Sequence, residues 1–174
     1  NLVVSVRESY LKGLPRSHRM VARLVHRRAD LTLFNAQSVL REEATGVLEA
    51  GRTAYLPNAV SIARADPIDW REWGIVTGPV VLSVGQLAPV KGHRMLIEAF
   101  AAVHAANPGA RLVLVGDGPE EGRLRAVAEA GGLSDRITFL GHHKDPLPFI
   151  AAADVFVQPS LSEGMSNALM EAMA

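Results

Sequence analysis

Short runs of apolar residues alternate with stretches of helical periodicity along most of the chain. This alternation is typical of a parallel α/β sheet. Most runs are continuously apolar, as expected for strands whose two faces are both covered by helices. We therefore predict strands at residues 2–6, 31–35, 53–56, 80–84, 112–115, 137–140 and 155–158, and helices at about 16–29, 37–50, 93–106, 120–130, 146–152 and from 166 onward.

The alternation is interrupted between residues 57 and 79, where three prolines, two glycines and both tryptophans show no clear period. We therefore predict the C-terminal part of one Rossmann-like domain at 1–66, a linker at 67–79 and an incomplete second Rossmann-like domain at 80–174. The sequence starts without methionine and stops inside a predicted helix. We therefore expect it to be truncated at both ends.

Composition limits the function classes. With 48% apolar and 21% charged residues among 174, the chain can bury a core. A formal net charge of zero gives no indication of a nucleic-acid partner. The absence of cysteine excludes disulfides and thiolate metal sites. No apolar run approaches the roughly 20 residues that cross a bilayer, and we predict a cytoplasmic protein.

Ligands of such sheets bind beyond the carboxyl ends of the strands. The loop at 159–165 is the most informative of these ends. Gly164 allows a ligand to approach the main chain, and Ser166 or Asn167 is a suitable N-cap for the next helix. The free amides at that helix start form an anion site.

Two carboxylates flank this anion site. Glu163 lies before the helix, and Glu171 lies about one turn inside it and leans back toward the loop. Ionised carboxylates accept hydrogen bonds, and sugar hydroxyls are suitable donors. The layout suits a nucleotide sugar, in which a diphosphate separates two hydroxyl-rich groups. Alternatively, both residues are surface acids at a helix start.

The loop at 85–92 repeats this chemistry. Gly85, Lys91 and the helix that follows them provide a flexible turn, a cation and free amides, which suit a diphosphate. An ordinary loop with a solvated lysine is the alternative. Both loops lie at the same edge of the predicted sheet, which favours a shared site.

Residues 81–100 resemble the first strand, loop and helix of the donor domain in glycosyltransferase family 4, the group 1 enzymes with two facing Rossmann-like domains (the GT-B fold). Residues 159–174 resemble the Glu-x7-Glu signature of that family, and 115–119 and 139–141 also match its pattern. Upstream, residues 28–38 and 56–60 resemble the end of the acceptor-side domain.

This resemblance implies a retaining enzyme of polysaccharide or glycolipid biosynthesis. It would transfer a sugar from a nucleotide-sugar donor to a sugar or lipid-linked acceptor, without a cofactor or a bound metal. Glu163 would hold the transferred sugar, Glu171 the ribose, and Lys91 the leaving diphosphate, so that Glu163 and Lys91 are the implied catalytic residues. The implied donor-binding residues are Gly85, Gln86, Lys91, Gly116, Gly141, His142, Glu163, Gly164, Met165, Ser166, Asn167, Ala168 and Glu171.

Three departures from the family pattern bear on activity. Gln86 stands where the family usually has arginine, which leaves Lys91 as the only cation of that motif, and Ala59 replaces a common glycine. The glycine-rich loop and cleft histidine of the acceptor domain are also lacking, so we expect this chain alone to be inactive. A sugar-nucleotide epimerase of similar fold and a non-catalytic nucleotide-binding module are alternatives.

Three further motifs have two interpretations each. Residues 116–122 imitate a dinucleotide fingerprint, but acids occupy the helix start, so we favour a wall of the nucleotide pocket. The adjacent His142 and His143 lack further ligands at metal spacing and indicate a pocket rim or a solvated loop. The basic helix at 16–28 suggests peripheral membrane contact, or, as we favour, a solvated face on a core-packed helix. His93 and His104 are predicted on a helix surface.

Overall fold

The computed structural model describes residues 2–6, 16–44, 52–60 and 65–174. The chain divides into two compact units. The first comprises Asn1–Ala59 and Ser162–Asn167, and the second comprises Val60–Leu161 and Ala168–Ala174. The predicted domain limits at residues 66 and 79 stay predictions.

The first unit contains a parallel sheet in the order β1-β2-β3. Its core is formed by Val6, Phe34, Ala36 and Val39. The second predicted helix is described as far as Ala44, and its predicted continuation over 45–50 lies outside the described residues. The elements are β1 (Val3–Val6), α1 (Arg16–Arg28), β2 (Leu31–Phe34), α2 (Gln37–Ala44) and β3 (Thr53–Tyr55).

The second unit contains a parallel sheet in the order β6-β5-β4-β7. Because the chain proceeds outward from β4 through β5 and β6 and then returns to the other side of β4, the strand order reverses beside β4. In open α/β sheets this reversal marks the ligand-binding crevice. The elements are β4 (Val80–Val84), α3 (His93–Ala106), β5 (Arg111–Val115), α4 (Glu121–Ala130), β6 (Ile137–Gly141), α5 (Leu147–Ala152), β7 (Val155–Phe156) and α6 (Asn167–Met173).

Strand β5 shows why these runs are continuously apolar. Leu112 and Leu114 pack into one buried cluster with Ile97 and Phe100, whereas Val113 and Val115 pack into a second cluster on the opposite face. Successive side chains of a strand point to opposite faces, so a strand between two helical layers buries every residue. The predicted α/β class with parallel sheets is confirmed.

The segment predicted as a linker has a defined structure. Residues Trp70–Trp73 form a short 3-10 helix, which begins where Asp69 Oδ1 accepts a hydrogen bond of 2.9 Å from the amide of Arg71. The indole of Trp70 donates a 2.7 Å hydrogen bond to the main-chain oxygen of Ala152 at the end of α5. Tertiary packing rather than sequence periodicity therefore orders this segment.

Strand β7 is shorter than the predicted run of 155–158 and spans Val155–Phe156. Val157 makes one further 2.8 Å hydrogen bond to Leu82 of β4. Over the described ranges, no helix has both the length and the apolar character that a bilayer crossing requires.

Candidate functional site

Three loops at the carboxyl edge of the second unit's sheet enclose a pocket of about 380 Å³. They follow β4, β5 and β6, and their strands are parallel neighbours, so the loops emerge side by side. The volume falls within the range of small-molecule sites. The pocket brings together four of the predicted donor-binding residues, and its lining consists of Val84, Gly85, Gln86, Val115, Gly116, Asp117, His142 and His143.

Gly116 allows two of these loops to meet through their main chains. It has a φ of 140°, and a Cβ at this position would collide with the carbonyl oxygen of Gly85. Its amide donates a 2.7 Å hydrogen bond to Gly141, and Leu87 donates one of 2.8 Å to Asp117. The predicted residues Gly85, Gly116 and Gly141 are therefore in contact through their main chains, and Gly116 and Asp117 of the 116–122 motif line the pocket.

Lys91 ends a one-turn 3-10 helix, Pro89–Lys91, between β4 and α3. The next residue, Gly92, has a φ of 68°, and a Cβ on it would collide with the carbonyl oxygen of Pro159. The amide of Leu161 donates a 2.8 Å hydrogen bond to the oxygen of Val90. The loop of the predicted cation is thus packed against the segment that follows β7.

His93 was predicted on a helix surface, and this prediction is wrong. It is the first residue of α3 and only 3% exposed, because its ring packs inward at the helix start. Burial lowers the pKa of His93 below its ordinary value, and the positive charge of Lys91 lowers it further. The imidazole is therefore neutral at pH 7, and Lys91 supplies the positive charge of this loop. His104 is partly buried, and its ring stacks on that of Phe100.

The two histidines after β6 have different surroundings. His142 is exposed at the pocket, whereas His143 is partly buried with its ring centroid 4.6 Å from that of Phe149 and 5.5 Å from that of Trp73. The described residues contain no group of three side chains able to hold a metal ion. Sequence reasoning missed this aromatic cluster because its members come from separate elements.

The start of α4 carries acids that are paired within the helix. Glu120 lies 2.9 Å from Arg123, and Glu121 lies 2.8 Å from Arg125. Negative charge near a helix N-terminus is favourable and occupies the place that a pyrophosphate would need in a dinucleotide site. This arrangement agrees with a pocket wall at 116–122.

Residues 162–167 cluster with the first unit, and Glu163, Gly164, Met165 and Ser166 of this loop are partly buried there. Nδ2 of Asn58 donates to the main-chain oxygen of Met165 at 3.1 Å and to Oδ1 of Asn167 at 2.8 Å. Sequence analysis identified Asn58 only within the motif at residues 56–60, and its contact with this loop was not predicted.

Helix α6 begins at Asn167, so that Ser166 occupies the position of a capping residue. Ala168 follows in the first turn, and Glu171 lies one turn into the helix and is partly buried. Helix α6 therefore starts within one residue of the start predicted at 166.

Residues 78–174 match the family model described as glycosyl transferases group 1. The lipopolysaccharide core biosynthesis glycosyltransferase LpsE of Rhizobium meliloti is 43% identical over 96 residues, which are 55% of this chain and 27% of that protein. The 2-deoxystreptamine N-acetyl-D-glucosaminyltransferase of Streptomyces fradiae is 35% identical over 173 residues, covering 90% of this chain and 40% of that protein.

The crystal structure of Anabaena Alr3699/HepE in complex with UDP and glucose superposes with a TM-score of 0.87 at 25% identity, covering 99% of this chain and 50% of that one. This likeness confirms the predicted GT-B type of α/β fold. The chain spans half of that structure and less than half of the two curated relatives. The chain belongs to the group 1 glycosyl transferases.

Proposed function

We propose that the complete protein is a retaining glycosyltransferase that uses a nucleotide-sugar donor in the synthesis of a polysaccharide or glycolipid. The observation that carries this proposal is the pocket at the carboxyl edge of the sheet, formed by the loops after β4, β5 and β6 and lined by Gly85, Gln86, Gly116 and His142. Membership in the group 1 family and the lipopolysaccharide role named for LpsE support the class of reaction. The acceptor would be a sugar or a lipid-linked sugar.

In this proposal, Lys91 and the main-chain amides from Gly164 to Ala168 stabilise the negative charge that grows on the departing diphosphate. A fixed cation in a partly buried loop requires little reorganisation as the bond breaks. His93, two residues further along, is neutral, so Lys91 is the charged side chain of this loop. No metal ion is part of this assignment.

The two carboxylates would divide the remaining polar groups of the donor. Glu163 would accept hydrogen bonds from the transferred sugar and Glu171 from the ribose, because ionised carboxylates pair well with neutral hydroxyls. The complex of Alr3699/HepE with UDP and glucose supports a donor with this composition. Attack on the same face as the leaving group would then give retention.

Isothermal titration of the complete gene product with UDP-, GDP- and ADP-sugars tests this function and identifies the base. We expect Glu171→Ala to weaken nucleotide-sugar binding by about 10- to 100-fold, because it removes hydrogen bonds to a charged acceptor. Glu129→Ala, which removes an exposed carboxylate from α4, is the matched control. Absence of binding by the wild type, or equal affinity of Glu171→Ala, would overturn the assignment.

We also propose that α1 contacts the inner face of the cytoplasmic membrane. Its apolar residues were expected to pack on the core, yet Met20 is 70% and Leu24 53% exposed, beside the exposed Arg23 and Arg27. An apolar stripe flanked by arginines suits an anionic lipid surface.

Vesicle co-sedimentation of the complete protein should show binding to phosphatidylglycerol but not to phosphatidylcholine. Arg23→Glu should weaken it, whereas Arg123→Glu on α4 should not.

A further inference from the structure

A chain of asparagine side chains holds the loop of Glu163 within the first unit. Asn35 directly follows β2, and Asn58 lies shortly after β3. Nδ2 of Asn35 donates to Oδ1 of Asn58 at 3.4 Å, and Nδ2 of Asn58 donates to Met165 and Asn167 at 3.1 and 2.8 Å. These bonds connect the carboxyl ends of two parallel strands to residues 165–167 of the same unit.

The orientation of the Asn58 amide follows from this arrangement. An amide nitrogen carries two hydrogens, and here one is directed to the main-chain oxygen of Met165 and the other to Oδ1 of Asn167. Rotating the amide by half a turn would place its oxygen against these two acceptors. Asn35 donates to the oxygen on the other side. Asn35 therefore selects the orientation in which Asn58 can hold the loop.

The environment of Asn35 indicates that a contribution to stability does not by itself explain an asparagine at this position. The residue is 6% exposed, and its Oδ1 has no hydrogen-bond partner among the residues that the structure describes. A buried acceptor without a partner destabilises the folded state, whereas an apolar side chain of similar shape would avoid this penalty. The polar atom of Asn35 that makes a hydrogen bond is Nδ2, which donates to Oδ1 of Asn58.

We propose that Asn58 is a positioning residue of the donor site and that Asn35 acts through it. This inference rests on the proposed function of Glu163. Met165 is the second residue after Glu163, so fixing its carbonyl and the side chain of Asn167 restricts the positions open to the Glu163 carboxylate and the adjacent amides. A site fixed before the ligand arrives loses less conformational freedom on binding.

Asn58→Asp in the complete gene product is the first test. A carboxylate has no hydrogen to donate, so it would repel the oxygens of Met165 and Asn167 instead of binding them. We expect about a tenfold or larger increase in the Kd for UDP-glucose, or for whichever nucleotide sugar binds the wild type, measured by calorimetry. Asn107→Asp makes the same change at the exposed end of α3 and should leave the Kd unchanged.

Asn35→Leu separates positioning from folding. We expect its thermal unfolding midpoint to equal or exceed that of the wild type, because the unpartnered acceptor is removed, while donor affinity falls several-fold. In an Asn58→Ala background, Asn35→Leu should cause no further loss, since Asn35 acts only through Asn58. Losses that add independently, or that parallel a lowered midpoint, would indicate a structural role and overturn the proposal.

Glu171→Ala in the same titrations distinguishes this inference from the function on which it rests. If the wild type binds a nucleotide sugar and Glu171→Ala weakens it, unchanged affinity in Asn58→Asp overturns only the positioning role. If the wild type binds none of the nucleotide sugars, the proposed function fails first. Weakened binding in both Glu171→Ala and Asn58→Asp, with Asn107→Asp unchanged, supports both.

Discussion

Gly92 is a residue at which local conformation and tertiary packing both exclude a side chain. Its φ of 68° lies in the left-handed region, and a Cβ would collide with the main chain of Pro159, which cannot relax by changing a rotamer. Gly132 has nearly the same φ, 67°, with no heavy atom of the described residues within 4 Å of a Cβ. Comparing alanine substitutions at Gly92 and Gly132 therefore distinguishes the cost of backbone strain from the cost of a steric collision.

We expect Gly132→Ala to lower the free energy of unfolding by about 1 kcal/mol, the usual cost of the left-handed conformation for alanine. Gly92→Ala should cost at least about 2 kcal/mol more, since the loop carrying Lys91 must move away from Pro159. Urea unfolding of both variants measures the difference. Equal losses would show that the contact between these two loops adjusts without strain.

His93 should make stability depend on pH in a defined direction. Its pKa in the folded protein is lowered, mainly by burial, whereas the unfolded chain has the ordinary value of 6.5. Protons therefore favour the unfolded state, so the contribution is complete above pH 6.5 and is lost as the pH falls below it.

We expect His93→Gln to reduce the slope of unfolding free energy against pH below 6.5 by up to about 1.4 kcal/mol per unit. Urea unfolding at several pH values from 7.5 to 5 measures this slope. Ser17→Ala, at an exposed position on α1, removes no titratable group; it is the control and should keep the wild-type slope. An unaltered slope in His93→Gln would contradict a neutral buried imidazole.

At the level of elements, the pattern of apolar residues predicted where the strands and helices begin and end. Strand β4 and helix α3 have the predicted limits, because one is buried on both faces and the other is amphipathic. Periodicity does not report which polar side chain becomes buried. Asn58 was missed because its environment depends on Met165 and Asn167, and the burial of His93 at the start of α3 leaves no period in the sequence.

The segment around Trp70–Trp73 shows the same limit for a whole element. Its order depends on the indole hydrogen bond to Ala152 and on ring contacts with Phe149. Neither contact produces a periodic pattern in the sequence. The segment was therefore predicted as an irregular linker. Aromatic residues near prolines identify such a segment as a candidate for packing, but not its partner.

Trp70→Phe should lower the free energy of unfolding by about 1 kcal/mol or more, because it removes the hydrogen bond to Ala152 and leaves that oxygen without its donor. Trp73→Phe is the matched control. Its ring contacts with His143 and Phe149 are available to phenylalanine, and Trp73 is 36% exposed, so we expect a smaller loss. Equal effects in urea unfolding would mean that ring volume, not the hydrogen bond, fixes this segment.

At the scale of the whole molecule, neutral overall charge is combined with a localised cation. The 18 basic and 18 acidic residues of this chain cancel, so its net charge would attract the charged donor of the proposed function only weakly at long range. In that proposal, recognition would come from fixed groups at short range. Lys91 would meet this requirement, because it lies in a loop in which Gly92 packs against Pro159, and it carries the positive charge that the neutral His93 does not.

The proposed mechanism consequently places the charge of the leaving diphosphate on Lys91 and main-chain amides. We expect sugar transfer by the complete protein to continue in excess EDTA, and Lys91→Gln to lower kcat by about 100-fold or more, since it removes a cation that acts on the transition state. Lys144→Gln, in the exposed loop after His143, is the control and should be nearly neutral. Loss of transfer in EDTA that Mg²⁺ restores would assign the charge balance to a metal ion and require a different mechanism.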